Sequence, residues 1–134
     1  YGQVADMSRS NIILWTYNTL KEQKSAKVVY DQFRTPTLAE DLAMGCFLAA
    51  EKKAQGIFNI AGKDYVSIIE LVEKVANMYH FSTGNIETVS SDTLNQPAKR
   101  PPITGLNIQK AQEVLGYEPH SLEEGIKICL GKLD

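Results

Sequence analysis

Apolar residues recur at helical spacing along most of the chain, and three short apolar runs interrupt them. Ile12, Ile13, Trp15, Thr16, Tyr17 and Leu20 predict an amphipathic helix over about 9 to 23. Lys27 to Tyr30 is short and β-branched, which predicts a strand. Pro36 and then Thr37, with Glu40 three residues on, form a capping-box pattern for a helix running to about Lys53, with Gly56 ending the stretch. Ile57-Phe58-Asn59-Ile60, a compact apolar run between glycines, predicts a buried strand. Ser67 with Glu70 starts the strongest helical pattern, carried by Ile68, Leu71, Val72, Val75, Ala76 and Tyr79. Ile86 to Val89 alternates weakly, as an edge strand does. Asn107 is placed to cap a short helix through Ala111 and Leu115, stopped by Gly116. Ser121 with Glu124 opens a last helix with Leu122, Ile126, Cys129, Leu130 and Leu133 inward.

The expected class is α/β and helix-rich, with about four to five helices and about three short strands in a single domain over 1–134. A chain of 134 residues buries roughly two-thirds of its unfolded surface, enough for a core without staples. The net charge of −2 and three scattered arginines (Arg9, Arg34, Arg100) argue against a nonspecific nucleic-acid binder, which needs a basic stripe. No apolar run approaches the roughly 20 residues of a membrane span. Cys46 and Cys129 both sit in helical apolar patterns and read as buried thiols in a reducing, cytoplasmic setting. Neither has a His or second Cys at ligand spacing, so no metal site is expected. The chain opens Tyr1-Gly2 without an initiator Met and reads as an excerpt of a longer polypeptide.

Candidate chemistry is sparse. Tyr17 and Lys21 have the Tyr-x-x-x-Lys spacing of short-chain dehydrogenases, but Tyr17 fits the apolar face of its helix and packing is the preferred reading. No Gly-x-Gly-x-x-Gly or other Gly-rich phosphate loop occurs, so no nucleotide cofactor is expected on this chain. His80 and His120 lack a partner at a telling spacing and read as structural. Arg34 stands just before Thr35-Pro36-Thr37. It either favours an anion at the helix start or pairs with Asp31, Glu40 or Asp41 to pin the turn. Arg100 lies beside Lys99 in Ala98-Lys99-Arg100-Pro101-Pro102, within the polar stretch Ser90 to Thr104, which carries three of the five prolines. Long segments without regular structure are often functional, and prolines stiffen this one. The favoured reading is bidentate contact of Arg100 with a diphosphate.

Four segments together carry a family resemblance. They are Phe33-Arg34-Thr35-Pro36-Thr37 running into Glu40-Asp41-Leu42-Ala43; Gly56 to Gly62; Ala98-Lys99-Arg100-Pro101 with Gly105-Leu106; and Leu115-Gly116-Tyr117-Glu118-Pro119 with Ser121 to Gly125. In this order they resemble the C-terminal half of the dTDP-4-dehydrorhamnose reductases, within the extended short-chain dehydrogenases. The resemblance implies reduction of the 4-keto group of a dTDP-linked deoxysugar by NADPH or NADH, in the last step to dTDP-L-rhamnose. It also implies that the Gly-rich Rossmann half and the catalytic Ser/Thr, Tyr and Lys lie upstream of Tyr1. This excerpt would then be the substrate-binding lobe, inactive by itself and without NADP or NAD. Arg100, Arg34 and Lys99 would face the nucleotide diphosphate. Residues 57–60 would join the edge of the missing sheet, and its absence would leave that edge open to self-association. A non-catalytic relative such as the regulatory subunit of methionine adenosyltransferase, or an epimerase or dehydratase lobe, shares the architecture.

Overall fold

The computed structural model describes residues 1–2, 11–94 and 100–131. In chain order the elements are α1 (Ile12–Lys21), β1 (Ala26–Val29), β2 (Phe33–Arg34), α2 (Ala39–Glu51), β3 (Val66–Ser67), α3 (Ile68–Tyr79), β4 (Ile86–Val89), β5 (Ile103–Thr104), α4 (Gln109–Leu115) and α5 (Leu122–Leu130). The class is α/β and helix-rich, as the patterning predicts. The described residues group into two compact units: 11–34, 66–94 and 100–104 in one, and 1–2, 35–65 and 105–131 in the other.

In the first unit, α1 starts on Asn11, whose side-chain oxygen accepts from the Ile13 and Leu14 amides at 3.0 Å each. This cap occupies two of the amide donors that a helix start leaves without intrahelical partners. Ile13, Leu20, Val28, Val29, Leu71, Val72, Val75 and Ala76 form the buried apolar set of α1, β1 and α3. Strands β1 and β4 pair in parallel, Ala26 opposite Ile86 through Val29 opposite Val89. A second small sheet runs β3-β2-β5, antiparallel on one side of β2 and parallel on the other. Neither β2, β3 nor β5 is signalled by the sequence, because two-residue strands are too short for a period.

The Ser67/Glu70 capping box forms as expected. The Ser67 hydroxyl oxygen accepts from the Glu70 amide at 3.2 Å, and the Glu70 carboxylate accepts from the Ser67 amide at 2.7 Å. Ser67 is buried, so Ser67→Ala should cost about 1 to 2 kcal/mol, read as a lower denaturation midpoint at unchanged slope. The backbone and side-chain hydrogen bonds from Ser67 hold the Glu70 carboxyl below its ordinary range, and those from Ser121 do the same for Glu124. A carboxyl depressed in the folded state lends stability above its unfolded pKa, about 4.3 for Glu. That stability is lost as pH falls through the lower folded value. An acid limb in stability that starts below about pH 4.3 is therefore expected, and Glu70→Gln should shrink it.

The second unit is built on α2, α4 and α5 around Ala61, Ile108, Ala111, Leu115 and Tyr117, with Leu48, Ala49, Ala54, Phe58 and Ile60 packed against that cluster. The Ser121/Glu124 box is present at α5. The Asp64 carboxylate also accepts from the Leu122 amide at 2.5 Å. Asn107 serves α4 from one residue further out than expected: Ile108 is the N-cap, and the Asn107 side-chain oxygen accepts from the Gln109 amide at 2.8 Å.

Three expectations are corrected here. The Thr37/Glu40 box does not form; α2 begins at Ala39 with Leu38 as its N-cap. The Thr37 hydroxyl is used otherwise, accepting from the Gly62 amide at 3.0 Å and donating to the Thr35 carbonyl at 3.1 Å. Residues 57–60 pair in neither sheet. Ile57 is 86% exposed, while its carbonyl accepts from the Lys110 ammonium at 2.8 Å. The apolar run signalled burial of Phe58 and Ile60, but a strand also needs a neighbour, and no described strand lies beside it. Cys129 is buried as expected, but Cys46 is exposed. Helix α2 is apolar nearly all round and buries only Asp41 and Gly45 fully, so Cys46 is left open, as are Leu42, Met44 and Phe47. Leu133 and Arg9 lie outside the described residues.

Candidate functional site

The tetrapeptide Asp31-Gln32-Phe33-Arg34 is the organising segment of the first unit. Asp31 faces the start of the polar stretch: its carboxylate accepts from the Ser91 amide at 3.0 Å and from the Ser91 and Ser90 hydroxyls at 2.9 and 3.1 Å. Partial burial acts to raise the Asp31 carboxyl, but these three serine donors outweigh it and hold it below the ordinary carboxylate range. The Phe33 amide donates to the Pro102 carbonyl at 2.7 Å, and β2 pairs with β5, Phe33 opposite Ile103. Gln32 is buried; its carbonyl accepts from the Ile68 amide at 3.1 Å and its side-chain oxygen accepts from Arg34 Nη2 at 3.0 Å.

Arg34 is held by backbone carbonyls and by Gln32. Its Nη1 donates to the Phe33 carbonyl at 2.7 Å and to those of Pro101 and Pro102 at 3.2 and 3.3 Å. A guanidinium fork is well suited to gather neighbouring backbone carbonyls. Arg100 is the residue just before that gathered pair. It is exposed, and among the described residues no hydrogen bond or ion pair engages its guanidinium. Lys99 lies outside the described residues. Arg34 and Arg100 therefore converge on one short stretch of chain, Arg34 holding it and Arg100 carried on it. The donors are cationic forks, and such an arrangement suits anion binding.

The remaining candidates are structural. Tyr17 packs edge-on against Tyr79 and Phe81, at 5.1 and 5.5 Å between ring centroids, and Lys21 sits over its ring. Packing thus accounts for the Tyr-x-x-x-Lys spacing. His80 is the C-cap of α3 at φ 56°. His120, in the second unit, meets a partner that its sequence neighbourhood does not announce. Its amide and its Nδ1 both contact the buried Asp41 carboxylate, at 3.0 and 2.6 Å. A sequence separation of 79 hides the pair from any local motif. An open hollow of about 440 Å³ lies at one end of β1 and β4, but its charges, Lys27 and Glu87, already pair at 3.5 Å. Among the described residues no group of three or more His, Cys, Asp or Glu could hold a metal. None of the helices there is long and apolar enough to cross a membrane. The residues do not fit a dinucleotide either. The starts of α3 and α5 are occupied by their own capping boxes, and no Gly-rich loop precedes any helix.

The family described as RmlD substrate binding domain matches residues 1–134. A Haloferax volcanii protein named as a probable low-salt glycan biosynthesis reductase is 24% identical over 112 residues, covering 84% of this chain and 37% of that protein. Among solved structures, the dTDP-4-dehydrorhamnose reductase of Clostridium acetobutylicum superposes with a TM-score of 0.83 at 23% identity, over 96% of this chain and 45% of that one. The Bacillus anthracis dTDP-4-dehydrorhamnose reductase, solved in complex with NADP, gives 0.82 at 21% identity, over 98% and 45%. At these identities the structures establish a shared fold. The chain spans less than half the length of each of these relatives.

Proposed function

Because the chain belongs to the RmlD substrate binding domain family, we propose that it forms the substrate-holding part of a reductase acting on a dTDP-linked 4-keto deoxysugar. The observation that carries this reading is the presentation of Arg100. The fork stands exposed, beside two proline carbonyls already gathered by Arg34. An exposed guanidinium fork can make two parallel hydrogen bonds to a diphosphate. Lys99 adds a second charge to the same phosphates. Arg34 contributes mainly by holding the loop, since its Nη1 is already engaged by carbonyls. Hydride transfer from NADPH or NADH, with the proton-donating residues, belongs to the part of a reductase-length protein that this chain does not include. The chain by itself should turn over no NAD(P)H. Calorimetric titration with dTDP is the direct test; absence of heat at millimolar dTDP would sink the reading.

The same reading gives the open face of α2 an occupant. Leu42, Met44 and Phe47 are 46%, 53% and 58% exposed, an unusual density of large apolar side chains for one helix. The rest of a reductase-length polypeptide packs there in the complete protein. In its absence these faces should find each other. Light scattering at high protein concentration is expected to give a mass above that of one chain, and Phe47→Glu to return it toward the monomer. A clean monomer throughout would count against this placement.

A further inference from the structure

We propose that Gln32 is a positioning residue for the Arg100 guanidinium, acting through the fork of Arg34. The inference rests on the anion-binding reading of Arg100 and extends it to a buried side chain that never meets the phosphate.

The path runs through neighbouring residues of the first unit. Gln32 is 6% exposed. Its backbone is fixed to the start of α3, where its carbonyl accepts from the Ile68 amide at 3.1 Å. That amide is one of the donors a helix start leaves without an intrahelical partner. Gln32 stands two positions before Arg34, the spacing that places side chains on one face of a strand. There the Gln32 side-chain oxygen accepts from Arg34 Nη2 at 3.0 Å. Because the guanidinium is planar, holding Nη2 also orients Nη1. Nη1 reaches the Pro101 and Pro102 carbonyls at 3.2 and 3.3 Å. The Phe33 amide holds the Pro102 carbonyl as well, at 2.7 Å, and Phe33 stands opposite Ile103.

This hold reaches Arg100 with little slack. The ring of Pro101 fixes its own φ, and a residue that precedes proline is confined to extended backbone. Arg100 is that residue. Few free backbone torsions therefore separate the anchored Pro101 carbonyl from the Arg100 side chain. The point from which the guanidinium starts is set, so less backbone freedom is lost when a phosphate is bound. An apolar side chain would fill the Gln32 site but leave Nη2 without this acceptor, and the fork could turn away from the two carbonyls. Gln32 thus acts on affinity only through Arg34 and the cation beside it.

Coupling between the two positions tests this, read by calorimetric titration with dTDP. Gln32→Met keeps the bulk and removes the acceptor. It should weaken binding about threefold to tenfold, the scale of one hydrogen bond. In an Arg100→Ala background the same substitution should weaken binding no further, because the group it positions is gone. A merely structural role would lower affinity by the same factor in both backgrounds. Gln32→Glu, which keeps the oxygen that Arg34 Nη2 donates to, should bind more tightly than Gln32→Met. If Gln32→Met does not fold, Gln32→Asn takes its place in the cycle with the same expectation, since its shorter side chain withdraws the oxygen from Nη2. Three results overturn the role of Gln32 and leave the diphosphate reading standing: equal weakening with and without Arg100, no weakening where Arg100→Ala has a clear effect, or Gln32→Glu binding no better than Gln32→Met. If Arg100→Ala itself leaves dTDP binding untouched, the diphosphate reading falls and the positioning role falls with it.

Discussion

Arg100→Ala is expected to weaken dTDP binding by about tenfold to a hundredfold. A charge-assisted hydrogen bond contributes about 1.5 to 3 kcal/mol, and a factor of ten corresponds to about 1.4 kcal/mol. The side chain is exposed and has no hydrogen-bond or ion-pair partner among the described residues, so its removal should leave the fold unchanged. Loss of affinity would then report the contact itself. Arg100→Lys keeps the charge but not the planar fork, and should fall between the two. Binding by the parent protein should weaken with added salt, while the residual binding of Arg100→Ala should depend on salt less steeply. Equal affinities for parent and Arg100→Ala would remove the central support of the proposed function.

The largest loss of stability is expected at Tyr117. Its side chain is 1% exposed and lies in the core cluster of the second unit with Ala61, Ala111 and Leu115. Its hydroxyl donates to the Ala61 carbonyl at 3.1 Å. Truncation to alanine removes a ring from a packed site and leaves that carbonyl without this donor, a loss of about 3 to 5 kcal/mol. Tyr117→Phe separates the terms. It keeps the ring, loses only the donor, and should cost about 1 kcal/mol. Burial, with smaller contributions from Asp41 and Cys46, pushes the Tyr117 phenol up to about 12. A group whose folded pKa is raised lends stability that is complete below its unfolded value, about 10, and is lost as pH rises through the folded one. Burial raises the Tyr1 hydroxyl in the same direction. An alkaline limb in urea midpoint above about pH 10 is therefore expected, reduced in Tyr117→Phe. A Tyr117→Ala protein as stable as the parent would contradict the packing described for this unit.

Helices were the legible part of this chain because each carries its own evidence. The face of α3 repeats along a single stretch, and its cap residues stand within four positions of one another. The same holds for Ser121 and Glu124 at α5. Thr37 shows the limit of such evidence. It has the right residue types at the right spacing, yet the Gly62 amide claims its hydroxyl from 25 positions away. Gly62 can make that approach only because it lacks a Cβ, which would run into the Pro36 carbonyl oxygen. A local motif states what a residue offers, and the tertiary neighbour settles which offer is taken. The run 57–60 failed in a related way. Phe58 and Ile60 are only partly buried against the core cluster and Ile57 is exposed, and pairing belongs to two segments at once.

The site divides along the same line. That Arg100 sits in a polar stretch carrying three of the five prolines could be read from residue types within fifteen positions of each other. Amphipathic period, cap chemistry and the stiffness of proline are short-range properties, written where they act. Folding alone brought Asp31 to Ser90 and Ser91, Arg34 to Pro101 and Pro102, and Asp41 to His120. Each of these contacts joins groups 59 or more positions apart, and each can be made by many residue types at many places along a chain. A hydrogen bond across such a separation leaves no period and no spacing behind it. Its partners are chosen by the packing of α1, β1 and α3 in the first unit, and of α2, α4 and α5 in the second.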